Sequence, residues 1–205
     1  MGDDAGLVEI LQAIEAPTAI SCAHDAVAGR LVSLLGAGST AGRYEITLND
    51  PPEWVAEMLL NRAGRTLGIA PTWVRFVDRV SSRSLLAVVH CPNPFGEAEL
   101  MIVSDSRMLS RDLIRDLCAW AFLGLGLLRI VVRIHAHDKA LSECARRVGF
   151  DFEGTARDFF AQGYDASVWG MSIWRCRWLP RSKVPASEME IPTVDISPPS
   201  STARH

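Results

Sequence analysis

Ser110–Phe150, SRDLIRDLCAWAFLGLGLLRIVVRIHAHDKALSECARRVGF, is the stretch whose reading decides the fold. Leu113, Ile114, Leu117, Cys118, Ala121 and Phe122 recur at three-and-four spacing, which is one face of a helix. Ser110 suits its N-cap, because the hydroxyl accepts an amide of the first turn. Gly124 and Gly126 end the helix. Ile130, Val131, Val132 and Ile134 then crowd into Leu127–Ile134. Such β-branched density predicts a buried strand, although Arg129 and Arg133 interrupt it. Asp138–Val148 is helical again and Gly149 stops it. A strand bracketed by helices predicts a crossover unit in a mixed or parallel sheet.

Working outward, Arg83–Cys91 (RSLLAVVHC) and Ala98–Val103 are strands separated by a turn rich in breakers, Cys91–Gly96. Their closeness predicts an antiparallel hairpin, with Ser104–Leu109 leading into the long helix. Tyr44–Leu48 reads as the first strand. Asn49–Glu53 opens a helix with Asp50 as its cap and proline in its first turn, and Trp54, Val55, Met58 and Leu59 line one side. Arg65–Asp78 leaves two readings: a short helix near Pro71–Arg79, or a loop over a pocket. Downstream, Phe152–Gly154 is extended, Gln162–Tyr164 is a turn, and Val168–Trp174 is the final strand. Residues 1–42 form an N-terminal extension, with helices over 3–16 and 19–35 and the linker Gly36–Gly42. Those helices either pack on the main domain or bind a partner. Residues 43–178 are the main domain, and 179–205 are a Pro/Ser-rich tail.

The 205 residues suit one domain with such an extension, and 21 basic against 24 acidic residues give a formal net charge of −3. That balance argues against a general nucleic-acid binder. Five cysteines without a CxxC predict reduced thiols and a cytoplasmic protein. The acids in Met1–Ile10 do not suit a secretory leader. No apolar run of about 18 residues predicts a membrane span.

The order of elements, with Ala121-Phe122, Leu125-Gly126-Leu127, Arg129-Ile130, Arg146–Phe150, Glu153-Gly154 and Arg157-Asp158, resembles the GNAT superfamily of acyl-CoA-dependent N-acetyltransferases. It looks most like the branch that acetylates ribosomal-protein N-termini, polyamines or aminoglycosides. The resemblance spans Tyr44–Ser172. It implies an α/β fold: a mixed, splayed sheet with helices on both faces, here with N-terminal helices added. It implies acetyl-CoA as acyl donor, held by Val103, Arg107, Met108, Leu109, Ser110, Arg111 and Asp138. The acceptor it implies is the primary amine of a small molecule or a protein N-terminus, with a homodimer left open. The pyrophosphate would lie on amides at the start of the Ser110 helix, where free N–H groups and the helix dipole collect anions.

This chain departs from the family pattern at four places. Ser104–Arg111 has no glycine where the family carries a glycine signature. Asp138 replaces an asparagine, Leu141 a serine, and Trp169 the last-strand tyrosine. An indole is no general acid near neutral pH. These departures support an alternative, an inactive relative serving as a binding or structural module.

Amine attack on a thioester needs a proton acceptor and an acid for the leaving thiolate. Glu97 and Glu99 open the strand that would face the acyl group, and Glu99 is the preferred base, set against a reading as a solvated edge carboxylate. His90 ends the neighbouring strand as a cleft residue or a structural histidine. His135, His137 and Asp138 give a surface cluster, a proton relay through His135, or a metal site that nothing else in the sequence completes. Cys144 is read as core packing before nucleophile. Phe159, Phe160 and Trp169 are read as packing or as an aromatic pocket.

Overall fold

The computed structural model describes residues 43–105 and 108–184. The expected helices over 3–16 and 19–35, the linker, Ser106, Arg107 and the tail from 185 lie outside the described residues. Among the described residues seven strands form one sheet in the order β1-β2-β3-β4-β5-β7-β6. They are β1 Tyr44–Thr47, β2 Thr72–Asp78, β3 Ser84–His90, β4 Glu97–Ser104, β5 Arg129–His135, β6 Asp151–Ala161 and β7 Tyr164–Ser172. The helices are α1 Pro52–Ala63, α2 Arg111–Cys118 and α3 Lys139–Val148. All pairings are antiparallel except β4 with β5, which α2 connects as the predicted crossover.

The sheet is covered on both faces, so its central strands bury alternate residues in opposite directions. Leu85, Ala87 and Val89 of β3 join Leu113, Leu117, Trp120 and Phe122 in one apolar cluster. Leu86 and Val88 join Val55, Leu59, Trp73 and Met101 in a second cluster under α1. Ala145 and Phe150 bring α3 and its exit to the α2 side.

Four local expectations change. Thr72–Asp78 is a strand, neither a short helix nor a loop. Trp73, Val74, Phe76 and Asp78 are buried in a near period-two pattern that pairing with both β1 and β3 imposes. Asp50 does not cap α1, whose N-cap is Pro51 with no side-chain bond. The Asp50 carboxylate is buried and taken by Arg75 (Nε to Oδ2, 2.8 Å). The helix after Ser110 is α-helical to Cys118 and π-helical over Ala119–Gly124, with the Leu125 amide on the Trp120 carbonyl at 2.9 Å. Cys118, Trp120, Ala121 and Phe122 are all buried along this stretch. The last strand ends at Ser172, and Ile173–Arg175 is a 3-10 turn. Leu179 is buried against the α2 cluster, so ordered chain reaches into the segment read as tail. Among the described residues no helix is long and apolar enough to cross a membrane.

Leu113 is fully buried, whereas Leu60 on α1 is 55% exposed. In urea unfolding, Leu113→Ala is expected to lose about 2–5 kcal/mol. Leu60→Ala should stay within about 0.5 kcal/mol of the parent.

Candidate active site

The parallel pair β4–β5 is short. Only Glu97↔Arg129, Ala98↔Ile130 and Glu99↔Val131 are in register. Beyond them Leu100–Ser104 and Val132–His135 continue without pairing to each other, so the sheet opens toward the carboxyl ends of both strands. Backbone groups bordering such an opening need another partner. The loop leaving β4 enters α2 at the same end.

At the start of α2, the Ser110 hydroxyl accepts the Leu113 amide (3.2 Å), as its position predicted, and the Ser110 carbonyl accepts that of Ile114 (3.0 Å). The amides of Arg111 and Asp112 have no carbonyl a turn back within the helix and point out of its first turn. Arg111 is exposed and makes no ion pair among the described residues, while Asp112 pairs with Arg115 at 3.1 Å. Met108 is buried in the core and Leu109 is exposed. Val103 packs toward α1 and lines a shallow hollow with Trp54, Met58 and Ser104. The Asp138 carboxylate caps α3 by accepting the Leu141 amide at 2.8 Å.

Where β4 and β5 part, Glu99 is not the solvated edge carboxylate that one reading gave it. It is buried, and each oxygen is held by a guanidinium: Oε1 by Arg65 Nη2 at 2.9 Å, Oε2 by Arg133 Nη1. His90, its partner across the β3–β4 ladder, is also buried, with Nε2 at 3.7 Å from Glu99 Oε2 and no hydrogen-bond partner. His90 Nδ1 lies 3.1 Å from Cys91 Sγ. Burial lowers the His90 pKa; the Glu99 charge opposes this, and Arg65 and Arg133 add to it.

Three local devices assemble this cluster. Gly64, left-handed at φ 61°, ends α1 with its amide on the Leu60 carbonyl (3.0 Å) and delivers Arg65 to the sheet. Gly68 lies against the His90 ring so closely that a Cβ there would fall 2.0 Å from Nδ1. The β6–β7 hairpin loses its register between Ala156 and Ala161. Within that break Asp158 adopts φ 51°, held by its amide on Asp165 Oδ1 (2.9 Å). The tip then lays Phe159 over both guanidiniums, 5.0 Å from each, and Phe160 over Arg65 at 5.6 Å.

His135 is exposed and stacks on Phe160 at 3.9 Å, and Phe160 in turn lies over Arg65, one of the two guanidiniums on Glu99. Trp169 lies on the opposite face, opposite Val132 and against Phe152. Among the described residues no three metal-ligating side chains converge, and Cys144 is half-buried in α3. Sequence reasoning missed Arg65 altogether. Arg133 did leave a trace, as a charge breaking a β-branched run.

No protein-family model and no curated protein matches this chain. Solved structures do match in fold. A dodecameric spermidine N-acetyltransferase from Vibrio cholerae superposes with TM-score 0.54 at 14% identity, over 69% of this chain and 99% of that one. A spermidine N-acetyltransferase from the same organism, in complex with CoA and spermine, gives 0.53 at 13%, over 68% and 99%. The chain therefore has the fold of the GNAT acetyltransferases, a mixed sheet with helices on both faces.

A histidine whose folded pKa is depressed favours the native state while it stays neutral. That contribution is present above the unfolded value of 6.5 and is lost as pH falls below it through the folded value. His90→Gln is expected to flatten the loss of stability between about pH 7 and pH 5 in denaturant titrations. Gly68→Ala should displace the ring and cost about 1–3 kcal/mol.

Proposed function

We propose that this chain transfers an acetyl group from acetyl-CoA to a primary amine, on a small molecule or a protein N-terminus. The observation that carries the reading is the opening of the β4–β5 pair at a buried carboxylate, with the first turn of α2 at the same end of the strands. Ligands of open α/β sheets sit at the carboxyl ends of strands. The resemblance in fold to a spermidine N-acetyltransferase solved with CoA supports the same placement.

In this reading the pyrophosphate lies on the Arg111 and Asp112 amides with the Arg111 guanidinium beside it. Met108 and Leu109 shape that loop, and Ser110 holds the helix start rigid through its cap. The pantetheine arm pairs with backbone groups that β4 leaves open near Val103. Asp138, by capping α3, fixes the loop on the other wall.

The amine nitrogen attacks the thioester carbonyl, the carbon–sulfur bond breaks, and CoA leaves as its thiol. The proton lost from nitrogen goes to Glu99, reached when one guanidinium shifts aside, and His135 relays a proton toward the departing sulfur. The chemistry asked of the protein is mainly orientation and exclusion of water, since the thioester is already activated.

Acetyl-CoA is expected to raise the melting temperature, with about 2.7 kcal/mol of stabilisation at a hundredfold excess over Kd. Thiol release with a panel of amines should follow, and Glu99→Gln should lower kcat/KM by about a hundredfold or more. Arg111→Glu should weaken CoA binding without moving the melting temperature of the free protein. A protein neither stabilised by acetyl-CoA nor able to release its thiol would instead be a binding module of the same fold.

A further inference from the structure

The cluster over the opening holds two guanidiniums against one carboxylate, with the adjacent His90 kept neutral by burial. Each guanidinium spends a single nitrogen on Glu99, Nη2 of Arg65 and Nη1 of Arg133. The Phe159 ring lies with its centroid 5.0 Å from the central carbon of each guanidinium. Among the described residues neither guanidinium makes a further hydrogen bond, and the remaining N–H groups of such a fork match a carboxylate. The two side chains are 18% and 29% exposed, so they remain open to a ligand while lying in partly screened surroundings. His90 Nε2, buried and unpartnered, adds one more polar atom turned toward the same carboxylate.

The acidic groups nearby are engaged within the protein. Glu97 and Glu153 both pair with Arg129, and Asp151 pairs with Arg175 at 2.9 Å. At the hairpin turn Asp158 accepts the Gly163 amide, and Asp165 accepts that of Asp158. A polyammonium acceptor would meet excess positive charge where Arg65 and Arg133 share the single Glu99 carboxylate.

We propose that the acceptor amine carries a carboxylate, and that Arg65 and Arg133 bind it through their unspent N–H groups while the rest of the molecule lies against Phe159 and Phe160. The acceptor is thus amino-acid-like rather than a polyamine. The inference rests on the acetyl-transfer reading for the word acceptor. The ligand class itself rests on the cluster alone.

Two measurements on the full chain separate the two. The first is calorimetric binding, with CoA present, of a panel of α-amino acids, their matched carboxamides and spermidine. The second is thiol release from acetyl-CoA with the same panel. At least one amino acid is expected to bind tenfold or more tighter than its carboxamide. Arg65→Gln or Arg133→Gln should abolish that margin in binding, a readout independent of any change these substitutions make to Glu99 as a base. Arg65→Lys keeps the charge without the fork and should lose most of the margin. CoA affinity should stay within twofold in all variants. Should a glutamine variant fail to fold, the acid-against-amide comparison on the parent chain decides by itself. Amino-acid binding without thiol release would uphold the ligand class and remove the acetyl-transfer reading. Thiol release with spermidine or the carboxamides at equal or better kcat/KM would do the reverse. Absence of any preference for the acids in binding overturns the inference.

Discussion

A carboxylate on a central strand of the sheet is the constraint around which this domain closes. Glu99 is 9% exposed, and an uncompensated ion in such a place costs several kcal/mol. That is a large fraction of the roughly 5–15 kcal/mol that holds a domain folded. Compensation arrives from two places far apart in the chain, Arg65 just past α1 and Arg133 on β5. Those cations are covered in turn by aromatics from the β6–β7 tip. One buried charge thereby ties the α1 exit, the two parting strands and the last hairpin into a unit.

The two faces of the sheet divide the work. Under α2 the face is closed and apolar, with Trp120, Phe122, Leu113 and Ile130 packed on β2–β5. Under α1 it is apolar only as far as β4, where Met101 lies beside Val88 of β3. Past Glu99 it becomes ionic, through Arg133, Arg129 and their acids. The opening between β4 and β5 lies on that border. Rigid packing on one side and polar, partly solvated groups on the other is the arrangement a site needs: strands that hold position, and side chains that exchange partners.

The elements best read from sequence were those whose periodicity local packing enforces. The Ser110 helix, its serine cap, the strand over Ile130–Ile134 and the helix ended by Gly149 all stand in the structure. Thr72–Asp78 was ambiguous because a strand buried on both faces alternates poorly, and its pairing with β1 and β3 settled it. Asp50 had the residue type and position of a cap, yet Arg75 offered a stronger, charged partner. The π turn after Cys118 left no local signature, since it answers the need to bury Trp120 and Phe122 together.

Sequence alone determined the fold class, the order of its elements apart from the strand over Thr72–Asp78, and the short list on which Glu99, His90 and His135 already stood. These follow from interactions between near neighbours: helix and strand periods, caps, and glycine stops. Tertiary structure alone decided what those residues face. Arg65 sits 34 positions before Glu99 and Arg133 the same number after it, and the aromatics over them come from a later hairpin still. The charge balance of the site is a sum over groups that only the closed sheet brings within a few ångströms, and Coulomb energy depends on that distance rather than on spacing along the chain.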